Sequence, residues 1–186
     1  MEANKKRSFI KELYEWVETF LVALAAVILI FTFLVKVVTV AGDSMRETFH
    51  NGDRLIISSI GYTPETGDVV VVDVSHNLEK FGQTSNAPYI KRVIATEGQT
   101  VNIDPFSWTV YVDGKKLDEP YVYRCNNNRM NMGSIQYPYT VPEGCVFLMG
   151  DNRNGSSDSR MLGAVESEYI LGKVILRLIP DFGVIK

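Results

Sequence analysis

Two regimes of apolar patterning divide the chain. From Phe20 to Val35 sixteen residues pass without a charge, Phe-Leu-Val-Ala-Leu-Ala-Ala-Val-Ile-Leu-Ile-Phe-Thr-Phe-Leu-Val, and Lys36 is followed by Val37-Val38-Thr39-Val40-Ala41. A run near the lower length limit for a bilayer span, with Lys36 placed to snorkel, predicts a transmembrane helix over residues 13–38. Lys5, Lys6, Arg7 and Lys11 precede it, and Tyr14 and Trp16 stand where interfacial aromatic residues anchor a span. By the positive-inside rule, residues 1–12 stay cytoplasmic and the rest is exported. A cleavable secretory signal is the competing reading, but its apolar core is usually shorter and ends at a small-x-small site, of which Thr39-Val40-Ala41 is a poor version.

Beyond Ala41 the pattern turns to short runs bounded by Gly, Asp and Pro, the signature of strands. They are Arg54 to Ser58, Val69 to Val72, Tyr89 to Ala95, Thr100 to Ile103, Trp108 to Val112 before an Asp113-Gly114 hairpin turn, Cys145 to Met149 and Lys173 to Ile179. No helical stripe of comparable length occurs there. The expected fold is mainly β: a twisted, mostly antiparallel, partly barrel-like domain over residues 39–186 behind one N-terminal helix. Residues 104–142, rich in Asn, Tyr and Pro, are expected to form a peripheral excursion rather than core.

Composition narrows the function. The 186 residues suffice for an anchor and one domain with a real core. With 19 basic against 22 acidic residues and a net charge of −3, nothing draws the chain to nucleic acid. Cys125 and Cys145, with only His50 and His76 beside them, match no zinc spacing. The two cysteines pair if the domain lies outside the cytoplasm, or serve as separate small core side chains; the sequence leaves both open.

Three stretches carry candidate chemistry: Gly42-Asp43-Ser44-Met45-Arg46-Glu47-Thr48-Phe49, the strand Tyr89-Ile90-Lys91-Arg92-Val93-Ile94-Ala95, and the polar loop from Gly150 to Arg160. A serine hydroxyl is a weak nucleophile until a base takes its proton, and a lysine kept neutral by burial is such a base. Strand alternation puts Lys91 on one face with Tyr89, Val93 and Ala95, and Arg92 on the other between Ile90 and Ile94. On the strand pattern alone, the favoured reading of Lys91 is a residue that pairs with a carboxylate or snorkels from a half-exposed strand, and Ser44 fits a turn serine. His50 and His76 read as turn and loop residues without a triad context. The loop fails as a calcium site, because an acid is needed where Gly150 stands. Its Ser, Asp and Arg side chains are instead suited to holding another side chain in place.

In this order and spacing the stretches resemble the bacterial type I signal peptidases, of the short single-anchor kind similar to those of Gram-positive bacteria, over nearly the whole chain. The family's Ser-Met-x-Pro-Thr is matched by Ser44 to Thr48 except that Glu47 replaces proline. Its Tyr-x-Lys-Arg-Val-x-Gly is matched by Tyr89 to Ile94 with Ala95 for glycine, and its Gly-Asp-Asn-Arg-x-x-Ser-x-Asp-Ser-Arg is matched in full by Gly150 to Arg160. The ending Gly163-x-Val165 and Ile170-x-Gly172-Lys173 also fits.

The resemblance implies a membrane-anchored serine endopeptidase that removes signal peptides from exported preproteins after small-x-small sites, with neither cofactor nor metal. Ser44 would be the nucleophile and Lys91 the general base; Ser156 would hold the Lys91 amine, and Asp158 with Arg160 would fix the loop. The Ser44 backbone N–H would be one oxyanion donor. The second is open, since Gly42 stands where some members carry a serine. Implied partners are preprotein substrates and the lipid bilayer, with the secretion machinery a further candidate. Glu47 and Ala95-Thr96-Glu97 depart from the family, but the dyad is intact, so an active enzyme is expected. A self-cleaving serine-lysine regulator lacks the anchor. The alternative from another class is a membrane-anchored β scaffold that assists assembly of exported proteins with its dyad unused.

Overall fold

The computed structural model describes residues 2–34, 36–73, 75, 88–124 and 129–185, leaving aside the side chains of 2–9 and 30–34. His76 and Cys125 lie outside the described residues, and with them the loop reading of the one and the pairing of the other. Two compact units are present, Met1–Lys36 and Val37–Lys186.

The first is a single helix, α1, Glu2–Leu34. Its 33 residues span about 50 Å at about 1.5 Å per residue. The span expected over 13–38 needs correcting at its end, because Lys36–Thr39 forms strand β1. Val37, Val38 and Thr39 are β-branched, and such side chains favour the extended backbone. Among the described residues no helix is long and apolar enough to cross a membrane; the described side chains stop at Leu29, inside the apolar run.

The second unit is built of strands β2 (Arg54–Ser58), β3 (Val69–Val72), β4 (Tyr89–Thr96), β5 (Thr100–Asp104), β6 (Thr109–Val112), β7 (Lys115–Lys116), β8 (Tyr139–Thr140), β9 (Cys145–Met149), β10 (Val165–Glu166), β11 (Ile170–Ile179) and β12 (Gly183–Val184), with a short helix α2 (Ser159–Leu162). The larger sheet runs β1-β2-β11-β3-β4-β9-β10 with β12 beside β11, and the smaller runs β7-β6-β5-β8. Its antiparallel pairings make the body the mainly β fold expected. Central β3 is covered on both faces, and all four of its valines are buried. That double burial is why Val69-Val70-Val71-Val72 does not alternate.

Strand β4 joins the two sheets. Pairing Val70 with Lys91 puts the lysine on the face that holds Val70, Val72, Val93 and Leu148. A register shift against β9 then inserts an extra residue, since Val93 faces Leu148 but Ala95 faces Phe147. This bulge turns Ala95 to the opposite face, where it packs with Ile94, so it does not share the Lys91 face as strict alternation required.

The smaller sheet overturns the expectation for residues 104–142. Trp108, Val110, Val112, Met130 and Val141 from that segment are buried against Ile94, Phe147 and Met149 of the larger sheet. The segment is core on one side, and its polar composition belongs to the loops that wrap the site described next. The Asp113-Gly114 turn is present, with φ of 51° and 73°, the left-handed pair that a tight two-residue hairpin requires.

Candidate active site

Ser44 opens a tight helical turn in which the Arg46 N–H donates to Asp43 O and the Phe49 N–H to Met45 O. Met45 and Phe49 are buried, at 1% and 0% exposure, with Leu55, Ile57, Val71 and Ile90. These two side chains lock the turn into the core and leave Ser44 half-buried at its rim.

Lys91 reaches Ser44 from β4. Its Nζ lies 2.9 Å from Ser44 Oγ and donates to the Ile90 carbonyl at 3.0 Å. The side chain is buried, and among the described residues no ion pair engages it; its amine sits 4.5 Å from the centre of the Tyr89 ring. Burial pulls its pKa down from 10.5 to about 8, against the upward pull of Asp158 and Asp151 and with help from Arg160. Of the alternatives the strand pattern left open, carboxylate pairing is not found among the described residues. A lysine with this pKa is substantially neutral near pH 8 and can accept the Ser44 proton.

The polar loop holds the turn that carries the serine. The Asn152 N–H donates to Ser44 O at 3.0 Å, and its Nδ2 to Asp43 O at 3.1 Å. Gly150 permits this approach, because a Cβ there would lie 2.6 Å from Ser44 O and 2.3 Å from Ser156 Oγ. Ser156 Oγ is buried beside the Asp158 carboxylate and forms no hydrogen bond at normal geometry. The structure thus brings Ser156 into the site without a direct bond to Lys91. Asp158 and Arg160 form the expected pair, with contacts of 2.8 and 2.7 Å, both side chains buried. Burial raises the Asp158 carboxyl, but Arg160 and the Gly150 N–H outweigh it and hold the pKa below the ordinary range.

Sequence reasoning missed a second set of contacts. Arg92 grips Asp151 through two bonds of 2.9 and 2.8 Å, and Asp151 also accepts from the Thr48 hydroxyl. The threonine of the first motif, the arginine of the second and the aspartate of the third are thereby one network. An arginine turned inward between Ile90 and Ile94 was the available signal, because a buried guanidinium demands a carboxylate.

Ser44 and Lys91 line a cleft of about 270 Å³ together with Val40 to Asp43, Pro88, Tyr89, Gly155 and Ser157. Among the described residues the Ser44 N–H has no acceptor, so it is free to meet an oxyanion. No group of His, Cys, Asp or Glu among the described residues could hold a metal ion.

A serine hydroxyl held against a buried lysine at the base of a cleft is the arrangement of a serine–lysine hydrolase. The chain belongs to the signal peptidase family, peptidase S26, whose profile matches residues 13–179. It is 36% identical over 180 residues to signal peptidase I of Bacillus licheniformis, covering 91% of this chain and 88% of that protein. Signal peptidase IB of Staphylococcus aureus is 34% identical over 185 residues, covering 91% of each. A solved signal peptidase I from Enterococcus faecalis is 28% identical and aligns over 60% of this chain and 97% of its own, with a TM-score of 0.45.

Proposed function

We propose that this chain removes signal peptides from exported preproteins, with Ser44 as nucleophile and Lys91 as general base. The observation that carries the reading is the 2.9 Å contact between Ser44 Oγ and the Nζ of buried Lys91. Neutral Lys91 takes the hydroxyl proton as Ser44 attacks the scissile carbonyl. The resulting ammonium then delivers that proton to the departing amine, leaving an acyl-enzyme that water cleaves by the same route. The oxyanion meets the Ser44 N–H. Asp158 and Arg160 keep the loop in place, and Ser156 lies beside them to orient the lysine. The scaffold alternative is not favoured, since the dyad is assembled and the relatives are peptidases.

The anchor belongs to the same proposal. Residues 1–12 are cytoplasmic, α1 carries the membrane span and the β domain is extracytoplasmic; the uncharged run from Phe20 and the basic residues before it support this. Phe20, Leu21, Val22, Val27, Ile28 and Leu29 are all exposed on α1, as a lipid-facing helix requires. The secretion machinery is a partner only in so far as it delivers the substrate. The test is cleavage of a preprotein with an Ala-x-Ala site, both reconstituted in vesicles, with the product's new N-terminus sequenced. A cut directly after the second alanine, abolished by bulky residues at either position, is expected. Uncut preprotein across several substrates would revive the scaffold reading.

A further inference from the structure

The segment 119–123 comes from the part of the chain that belongs to the smaller sheet, yet it contacts the catalytic loop, strand β4 and the nucleophile turn. Glu119 meets Arg153 through both carboxylate oxygens, and the two side chains are only 6% and 0% exposed. Tyr121 donates its hydroxyl to Glu119 at 3.1 Å and lays its ring over the Arg92 guanidinium at 3.8 Å. Burial and the Glu119 charge push the Tyr121 phenol up, so it remains a donor. The Tyr123 N–H donates to Asp151 O at 2.9 Å, and Arg46 sits 5.0 Å from the centre of the Tyr123 ring. Three consecutive odd-numbered residues thus hold two buried arginines and one arginine of the nucleophile turn.

The most consequential of these lines runs through Arg153. Its Nε donates to Gly150 O at 3.2 Å, while the Gly150 N–H donates to Asp158 at 2.9 Å. Gly150 is therefore held at both ends of the residue, and its α-carbon is the surface on which Ser44 O and Ser156 Oγ rest. Arg153 also offers its carbonyl to Arg160. A buried guanidinium must be charge-balanced, and Glu119 is the carboxylate that balances it.

Resting on the Ser44–Lys91 reading above, we propose that Glu119 is a positioning residue of the active site, acting through Arg153 on Gly150 and so on the placement of Ser44 against Lys91. It touches no substrate. Its effect belongs in kcat and not in KM, because the cleft walls at Val40 to Asp43 and Pro88 to Tyr89 are not among its contacts.

A fold-maintaining role and a positioning role are separated by the double variant Glu119→Leu with Arg153→Met, measured on the full chain in vesicles. Replacing both members of a buried ion pair by apolar side chains of similar size usually leaves stability intact or improved, so this variant is expected to fold. Positioning predicts a melting temperature at or above the parent's, an unchanged KM for the preprotein and a kcat reduced by about tenfold or more. The isosteric Glu119→Gln, assayed well below its own melting temperature, should show the same split. Parent-level kcat in either folded variant, with the parent itself active and dependent on Ser44, overturns the inference while leaving the proposed function standing. Loss of Ser44 dependence in the parent would instead overturn the function.

Discussion

At the scale of single residues, Lys91 is where burial becomes chemistry. Its pKa of about 8 in the folded chain against 10.5 ordinarily means the native state gives up this proton before the unfolded state does. Native stability therefore rises with pH between those two values, and below about pH 8 the fold bears a buried ammonium. Lys91→Met should be inactive yet more stable at about pH 6, by on the order of 1–4 kcal/mol, with the advantage shrinking as pH approaches 10.5. Denaturant melts of both proteins across pH check this. The kcat/KM of the parent should climb through about pH 8 as the amine loses its proton. A profile rising instead around pH 4–5 would assign the base to a carboxylate.

At the scale of elements, the loop from Gly150 to Arg160 ties strand β4, the residues around Glu119 and Asn131, and the nucleophile turn together. Gly150→Ala forces a Cβ to within 2.6 Å of the Ser44 carbonyl, so kcat should fall by about a hundredfold with the fold retained, as read by kinetics beside circular dichroism. Gly133→Ala places a Cβ 2.0 Å from Arg160 O at a φ of +71°, and a lowered melting temperature is expected. The strands around this loop were legible because their turns carry Gly, Asp and Pro and their runs are dense in β-branched residues. Ser44, Lys91, Asp158 and Arg160 were legible through motif order. Arg92–Asp151–Thr48 and Glu119–Arg153 were not, since each joins residues tens of positions apart and neither end names its partner. The bulge that turns Ala95 over was equally hidden: period-two alternation cannot register one inserted residue. Residues 104–142 misled because polar loops and buried Trp108, Val110 and Met130 alternate within one stretch.

At the scale of the whole molecule, the buried apolar clusters all lie between Val40 and Val174, within the unit Val37–Lys186. A chain lacking residues 1–36 should therefore fold and cleave a soluble small-x-small peptide at near-parent rates. With residues 1–36 as the proposed anchor, it should process vesicle-borne preprotein at least about a hundredfold more slowly, because tethering enzyme and substrate to one bilayer raises their effective concentration. Equal rates on both substrates would remove any role for the anchor in catalysis. On the proposed mechanism a serine and a neutral lysine cleave the substrate together. Its most direct measurement is processing of a vesicle-embedded Ala-x-Ala preprotein by the parent, Ser44→Ala and Lys91→Met, each at matched folded concentration. Cleavage by the parent and rates below about 1% of it for both variants are expected; parent-level cleavage by either folded variant would rule out the serine–lysine mechanism.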